Sequence, residues 1–242
     1  MLRKILVSWL FLAIACHAAD KRQRAYAVVQ EFGLSQKQNG TDRKIELLMD
    51  VRLTPSVREQ LWGKGDWSLV LPPESKLFKK FTALPPRNAK LRIKDQTGKV
   101  VAERKLDRPL AELKEWSPSR GGKAGYFLTV DYSAGFGSYS GLGTTLLQVS
   151  NATLNDAGAI NVSTRRHEPI RLTKTLKSDW RIETSSAGTE ILSLSCHPGD
   201  DGNFVSDYVR YWFDGSQWLE YKRQEAGLWE SDRPLPARSL FP

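Results

Sequence analysis

The stretch KIELLMDVRL, Lys44–Leu53, decides the fold. Ile45, Leu47, Met49, Val51 and Leu53 share one parity, while Lys44, Glu46, Asp50 and Arg52 share the other. Successive side chains of an extended chain point to opposite faces, so the pattern predicts a half-buried β-strand with one wet face. Its expected partner is Tyr26–Phe32, reached through the polar connection LSQKQNGTD. A second hairpin joins Leu91–Lys94 to Val100–Leu106 around Asp95-Gln96-Thr97-Gly98. The same alternation predicts strands at Ser68–Leu71, Tyr126–Tyr132, Thr144–Val149, Trp180–Thr184, Ile191–Cys196, Phe204–Phe213 and Gln217–Lys222.

Asp214-Gly215, between two aromatic strands, signals a two-residue turn whose central positions need positive φ. That loop length sets Tyr211 opposite Trp218 and Tyr208 opposite Tyr221. Such aromatic pairs contribute a few tenths to about 1 kcal/mol each and serve to hold a hairpin together. Their functional reading is a stacking platform for sugar rings, with Tyr211 and Trp218 as ligand-binding residues.

Helix is scarce. Thr54-Pro55-Ser56 before VREQLW and Gly63 offers a capping residue, proline at the first helical position and a glycine stop. Between Pro73 and Pro85, Leu77, Phe78, Phe81 and Leu84 recur at helical spacing beside Lys76, Lys79 and Lys80. A stripe only two turns long suits a helix covering a sheet edge; a membrane-surface helix is the alternative.

The chain has 242 residues, 40% hydrophobic and 26% charged, enough to bury a core without staples. The expected fold is all-β, of antiparallel sheets, sandwich-like or in two small β lobes, with one or two short helices. The lobes would be 20–115 and 125–242, joined by a linker at 116–124 within KEWSPSRGGKA; one continuous domain over 20–242 is the alternative. Gly227–Pro242, with Pro234, Pro236 and Pro242, reads as an extended strap lying on the body. That tail argues against an outer-membrane barrel, whose last strand must pair without proline interruptions.

Residues 1–19 read as a signal sequence. Arg3 and Lys4 precede an uncharged run, Ile5–Ala15, and small residues follow in CHAAD. Eleven helical residues rise only about 16 Å, too little for a hydrocarbon core of about 30 Å. The expectation is therefore an exported periplasmic or secreted protein without a transmembrane span, cleaved at Ala18 or Ala19. Leu12-Ala13-Ile14-Ala15-Cys16 loosely resembles the lipobox of bacterial lipoproteins, which makes an envelope lipoprotein tethered through Cys16 the alternative. Cys16 and Cys196 are the two cysteines, and loss or acylation of Cys16 leaves no disulfide framework.

Net charge is +9, falling to +7 once Arg3 and Lys4 are removed with no acid among residues 1–19. A diffuse surplus serves solubility; its functional reading is attraction to an anionic envelope polymer or an acidic protein, with no nucleic-acid partner.

Gly135-Phe136-Gly137-Ser138-Tyr139-Ser140-Gly141-Leu142-Gly143 is the most unusual run. A phosphate-cradling loop leads into a helix, but here a strand follows. A nucleophile elbow needs serine where Tyr139 stands between Gly137 and Gly141. What remains is a long β-connection using glycine for positive φ, or a binding loop presenting Phe136 and Tyr139.

Cys196 and His197 fall on opposite strand faces, so they do not converge on one ion, and no metal or other cofactor is expected. Asp131, Glu183, Asp200 and Asp201 are candidate carboxylates without distinguishing context; Asp200-Asp201-Gly202-Asn203 reads as a solvated turn, with calcium as the other reading. A non-catalytic binding or interaction protein is thus the leading expectation. A secreted hydrolase of cell-wall or polysaccharide substrates working through two carboxylates is the second, and an enzyme inhibitor inserting the Gly135–Gly143 loop is the third.

Overall fold

A computed structural model describes residues 25–34, 43–116, 125–131, 137–150, 153–185 and 188–242. Strand accounts for 53% of the described residues and the helices are short, which makes the protein all-β. Among the described residues there are three sheets, antiparallel apart from one strand pair. The N-terminal sheet runs β1 (Tyr26–Leu34), β2 (Arg43–Asp50), β3 (Lys90–Lys94) and β4 (Val100–Lys105) in sequence order. The middle sheet comprises β5 (Ala111–Trp116), β6 (Gly125–Val130), β7 (Leu142–Ser150), β8 (Thr153–Asp156) and β11 (Arg171–Lys174). The C-terminal sheet holds β9 (Gly158–Asn161), β10 (His167–Pro169), β12 (Ser178–Ser185), β13 (Gly188–Pro198), β14 (Phe204–Phe213) and β15 (Trp218–Ala226).

The middle sheet is dry on both sides, which is why β6 and β7 read as near-continuous apolar runs. Tyr126, Leu128, Leu147 and Val149 join a core with Ile45, Leu47, Leu91 and Ile93 of the N-terminal sheet. Their strand neighbours Phe127 and Leu146 point the other way, into a second core with Ile191, Tyr211 and Trp218. Strands β5 and β6 pair with each other on either side of the expected linker, so residues 117–124 connect two neighbours within one sheet. The edge of β5 is met by a side chain: Gln30 Nε2 donates to the Leu113 carbonyl at 2.9 Å, and Leu113 N donates to Gln30 Oε1 at 2.7 Å. One amide thereby reproduces a peptide pairing between the first two sheets.

β2 departs from its expected wet face. Glu46 and Asp50 are only 4% and 1% exposed. Arg92 and Lys94 pair with Glu46, and Arg52 pairs with Asp50 at 2.5 Å. Alternation located the two faces for Ile45, Leu47 and Met49, but the strand ends at Asp50 and leaves Val51 44% exposed in the turn beyond, and ion pairing lets the charged face be covered as well.

Three helices follow β2: α1 (Pro55–Leu61), α2 (Trp67–Val70) and α3 (Lys76–Ala83). Pro55 sits in the first turn of α1, and Gly63 lies just past its end at φ +69°. Ser75 Oγ caps α3 by accepting from Phe78 N at 3.1 Å, and Phe81 is buried beneath. The strand expected at Ser68–Leu71 is instead α2, because Asp66 Oδ1 accepts from Ser68 N at 2.9 Å and starts a turn of helix.

The last hairpin keeps its faces but not its expected register. Phe213 pairs with Trp218, Tyr211 with Glu220, and Tyr208 with Arg223. Asp214 Oδ1 accepts from Ser216 N and Gln217 N at 2.8 and 2.9 Å, which builds a four-residue loop over Asp214–Gln217 instead of a two-residue turn. A slip of two preserves parity, so Tyr211 and Trp218 still share a face.

Beyond this hairpin the chain crosses the outer face of the C-terminal sheet as the expected strap. Trp229 and Phe241 cover Leu192, Leu194 and Cys196. Arg181 donates to the carbonyls of Leu235 and Pro236 at 2.9 and 2.7 Å, and Arg223 donates to that of Leu240. Glu190 holds Arg210 of β14 at 2.6 Å and Arg238 of the strap at 2.5 Å.

Candidate functional site

One end of the core between the first two sheets is open. The chain leaves β2 there into the helices, enters β3 and β5, and crosses from β6 to β7. Described residues of these segments line a cleft of about 650 Å³, walled by Leu53, Leu61, Trp67, Leu69, Pro86, Pro109 and Leu110. Arg108, Asp66, Asp131 and Ser140 bring polar groups to the same space. A volume in the few-hundred to thousand Å³ range with few polar groups among apolar walls is typical of a small-molecule site. A smaller hollow of about 380 Å³ lies between β1, α1 and β5, and shares Leu110 with the cleft.

Backbone pairing places each polar residue. Ala89 N donates to the Arg108 carbonyl at 2.8 Å, extending the β3–β4 ladder to the cleft rim. Asp131 N donates to the Leu110 carbonyl at 3.1 Å, so Asp131 ends the β5–β6 ladder. Asp66 stands at the start of α2, where one carboxylate oxygen is engaged by Ser68 N. Ser140 closes a 3₁₀ turn, Gly137–Tyr139, by donating its N–H to the Gly137 carbonyl at 3.1 Å.

Glycine is required twice in this connection. Gly137 has φ +58°, a left-handed conformation that side chains disfavour. At Gly141 a Cβ would come within 2.1 Å of the Lys174 carbonyl oxygen, so the loop can press against β11 only with hydrogen there.

The chemistry of the lining is mixed. The Arg108 side chain has neither a hydrogen bond nor an ion pair among the described residues. Ser140 Oγ is buried without a hydrogen-bond partner among the described residues, at a cost of about 1–3 kcal/mol. Trp67 meets Phe78 and Phe81 edge-on, with ring centroids 5.6 and 5.7 Å away, so its ring is held before any ligand arrives. Leu69, at the lip, is 80% exposed. The site therefore offers donors, acceptors and apolar wall together.

The expected ligand residues separate. Tyr139 is part-exposed on the 3₁₀ turn beside the cleft. Tyr211 and Trp218 are 8% and 6% exposed inside the second core, where their rings meet protein side chains. Burial drives the Tyr211 hydroxyl upward in pKa, and the nearby Glu220 and Glu168 charges add to it. Phe136 and Cys16 lie outside the described residues. Of the candidate carboxylates, Asp131 faces the cleft. Glu183 pairs with Arg181 at 2.7 Å. Asp201 accepts from Asn203 N at 3.0 Å within the turn that also holds Asp200. Cys196 is buried under the strap while His197, on the opposite face, meets Asp207 at 3.3 Å.

Arg108, Asp66 and Trp67 escaped the sequence reading. An aspartate before WSLV is a helix-start signal that would have flagged Asp66, but Arg108 carries no local pattern. Comparison with protein-family models, curated proteins and solved structures gave no match; the chemistry of the lining residues carries the functional reading.

Proposed function

We propose that this chain is an exported, non-catalytic binding protein of the bacterial envelope, periplasmic or secreted, whose ligand enters the cleft between the helices and the β6–β7 connection. The carrying observation is that half-buried Arg108, whose side chain has no hydrogen bond or ion pair among the described residues, lines the same cleft of about 650 Å³ as the apolar walls. The cations that brace the fold are paired with buried carboxylates, as Arg92, Arg52 and Arg210 pair with Glu46, Asp50 and Glu190. An open guanidinium with five donors is instead equipped to meet something from outside. The signal-like N-terminus and the basic balance support an envelope setting, and no helix among the described residues is long and apolar enough to cross a membrane.

A second reading, a hydrolase working through two carboxylates, is favoured by Asp66 and Asp131 lining the same cleft. One experiment separates the two. The chain from residue 20 is passed at low salt over immobilised heparin, peptidoglycan and envelope extract, and the eluate is assayed for released reducing sugar. A binding protein is retained, loses retention in Arg108→Ala, and releases nothing. Sugar release that disappears in Asp131→Asn replaces this reading with the hydrolase, and absence of retention on every support refutes both.

A further inference from the structure

We infer that the outward face of α3 is a docking surface for an anionic lipid leaflet, with Lys76, Lys79 and Lys80 at the headgroups and Leu84 at the edge of the acyl layer. None of these residues lines the cleft, so the inference is independent of the ligand reading.

The helix carries two stripes, and the fold uses one. Leu77, Phe78 and Phe81 pack into the core of the first two sheets, which leaves Lys76, Lys79, Lys80 and Ala83 exposed at helical spacing. The lysine stripe costs the helix more than it gives. Lys80 suits the last turn, but Lys76 stands in the first, where the macrodipole favours an acid, and Lys79 and Lys80 one turn on repel it. No neighbouring acid relieves them. The chain has no Asp or Glu from Ser75 to Lys94, and Glu103 and Glu46 from other strands take Lys90, Arg92 and Lys94. Lys76, Lys79, Lys80 and the exposed Arg87 are left without a side-chain hydrogen bond or ion pair among the described residues. Uncompensated cations gathered on one rigid face fit an anion from outside.

Leu84 selects the kind of anion. It follows Lys80 by one turn and is 59% exposed, beside an exposed Pro85. A soluble polyanion would use the lysines and leave Leu84 in water, whereas a leaflet receives both, phosphates at the cations and apolar depth at the leucine. The backbone there is prepared for the loss of water. Leu84 N donates to the Lys80 carbonyl at 3.0 Å, and Arg52 donates to the carbonyls of Leu84 and Pro85. The Ser75 cap and the edge-on contacts of Trp67 with Phe78 and Phe81 already hold the helix, so docking has little left to order.

Co-sedimentation of the chain from residue 20, which omits the apolar run Ile5–Ala15, tests this with vesicles of phosphatidylcholine and of equal phosphatidylcholine and phosphatidylglycerol. The expected result is binding to the mixed vesicles alone, lost at about 1 M salt, where the screening length is ~3 Å. Each lysine contributes about fivefold, so the double variant Lys79→Gln, Lys80→Gln weakens binding at least tenfold, roughly, and Leu84→Ser about threefold. Lys76→Glu separates binding from folding: it weakens vesicle binding while raising the urea midpoint, because an acid there suits the helix N-terminus and Lys80. The control Lys99→Gln, Lys105→Gln removes the same charge from exposed positions at the start and end of β4 and retains full binding. Equal loss in this control would make the effect one of net charge and overturn the docking face. So would absence of binding to the mixed vesicles at low salt, or binding of soluble polyphosphate through the same lysines with none to vesicles.

Discussion

The two outer sheets each give one face to the middle sheet and treat the other face in opposite ways. On the N-terminal sheet the outer face is laced with charge: Lys44 meets Glu31 at 2.8 Å, Lys90 meets Glu103 at 2.7 Å, and Glu46 holds Arg92 and Lys94. On the C-terminal sheet the outer face carries Leu192, Leu194 and Cys196, which the strap must cover. A charged face is stable against water without a lid, whereas an apolar one requires protein to lie on it. The tail is therefore part of the fold, while the cleft beside the N-terminal and middle sheets has no such cover among the described residues.

The strongest break of this comparison is removal of residues 228–242. Trp229 and Phe241 leave with them, each worth about 2–3 kcal/mol of burial, and Arg181, Arg223 and Glu190 lose strap partners. The combined loss is a large share of a stability of about 5–15 kcal/mol. Urea unfolding of the shortened chain is expected to show a midpoint lowered by more than half, and Cys196, now buried, to react with a thiol reagent under native conditions. An unchanged midpoint with an unreactive thiol would mean that the strap merely rests on the sheet.

A sharper and smaller contrast comes from acid. Burial alone would push the Asp50 carboxyl up, but Arg52 and the backbone N–H groups of Arg87 and Arg52 outweigh it, and the pKa falls to about 2 from an ordinary 3.8. A folded-state pKa below the unfolded one gives stability that is complete above pH of about 4 and is lost as pH falls toward 2. The size is roughly 2 kcal/mol, from about 1.4 kcal/mol per pKa unit. Glu46 and Glu190 are lowered too: burial opposes ionisation, but the cations beside each outweigh it. Urea midpoints of the parent and Asp50→Asn, taken from pH 5 down to pH 2, isolate the Asp50 share: the variant starts weaker and loses about 2 kcal/mol less over that range. Parallel curves would place the clamp elsewhere. Because Arg52 also donates to the carbonyls of Leu84 and Pro85 at 2.5 and 2.8 Å, this pair ties the end of the helical segment to β2.

What the sequence disclosed follows from the range of each interaction. The longer strands, the start of α1 and the strap were legible because alternation, capping residues and proline act within a few positions, whereas β5 and the short strands β8–β11 carry too little alternation to be read and Ser68–Leu71 proved helical. The turn at Asp214-Gly215 misled by two residues because the Asp214 carboxylate reaches Ser216 and Gln217, and side-chain capping competes with the backbone preference that defines a two-residue turn. Burial of Glu46 was illegible because its cations Arg92 and Lys94 arrive from β3, and a single strand cannot reveal what its neighbour brings; the Asp50 partner, Arg52, is local, but the Arg87 N–H that also meets Asp50 comes from beyond the helices. The cleft was least legible of all. Its residues run from Leu53 to Ser140 over several connections, and only the topology gathers them. Asp131 was visible as one acid among several, and the glycine run as a loop, but nothing local joined either to Arg108.

The smallest effect is expected at Arg108, and its smallness is the point. Arginines that hold the fold together are costly to lose: Arg210 is bound to Glu190 and stacked near Tyr221 at 5.2 Å, so its removal leaves a buried carboxylate short of a partner. Arg108 has no such partner among the described residues, and its backbone carbonyl, which any residue supplies, makes the structural bond to Ala89. Arg108→Ala should therefore shift the urea midpoint by no more than about 0.5 kcal/mol equivalent, the range of a surface substitution away from special features. A loss above about 2 kcal/mol would class Arg108 with Arg210 as a brace for the fold, and the distinction between a sealed end and an open one would disappear.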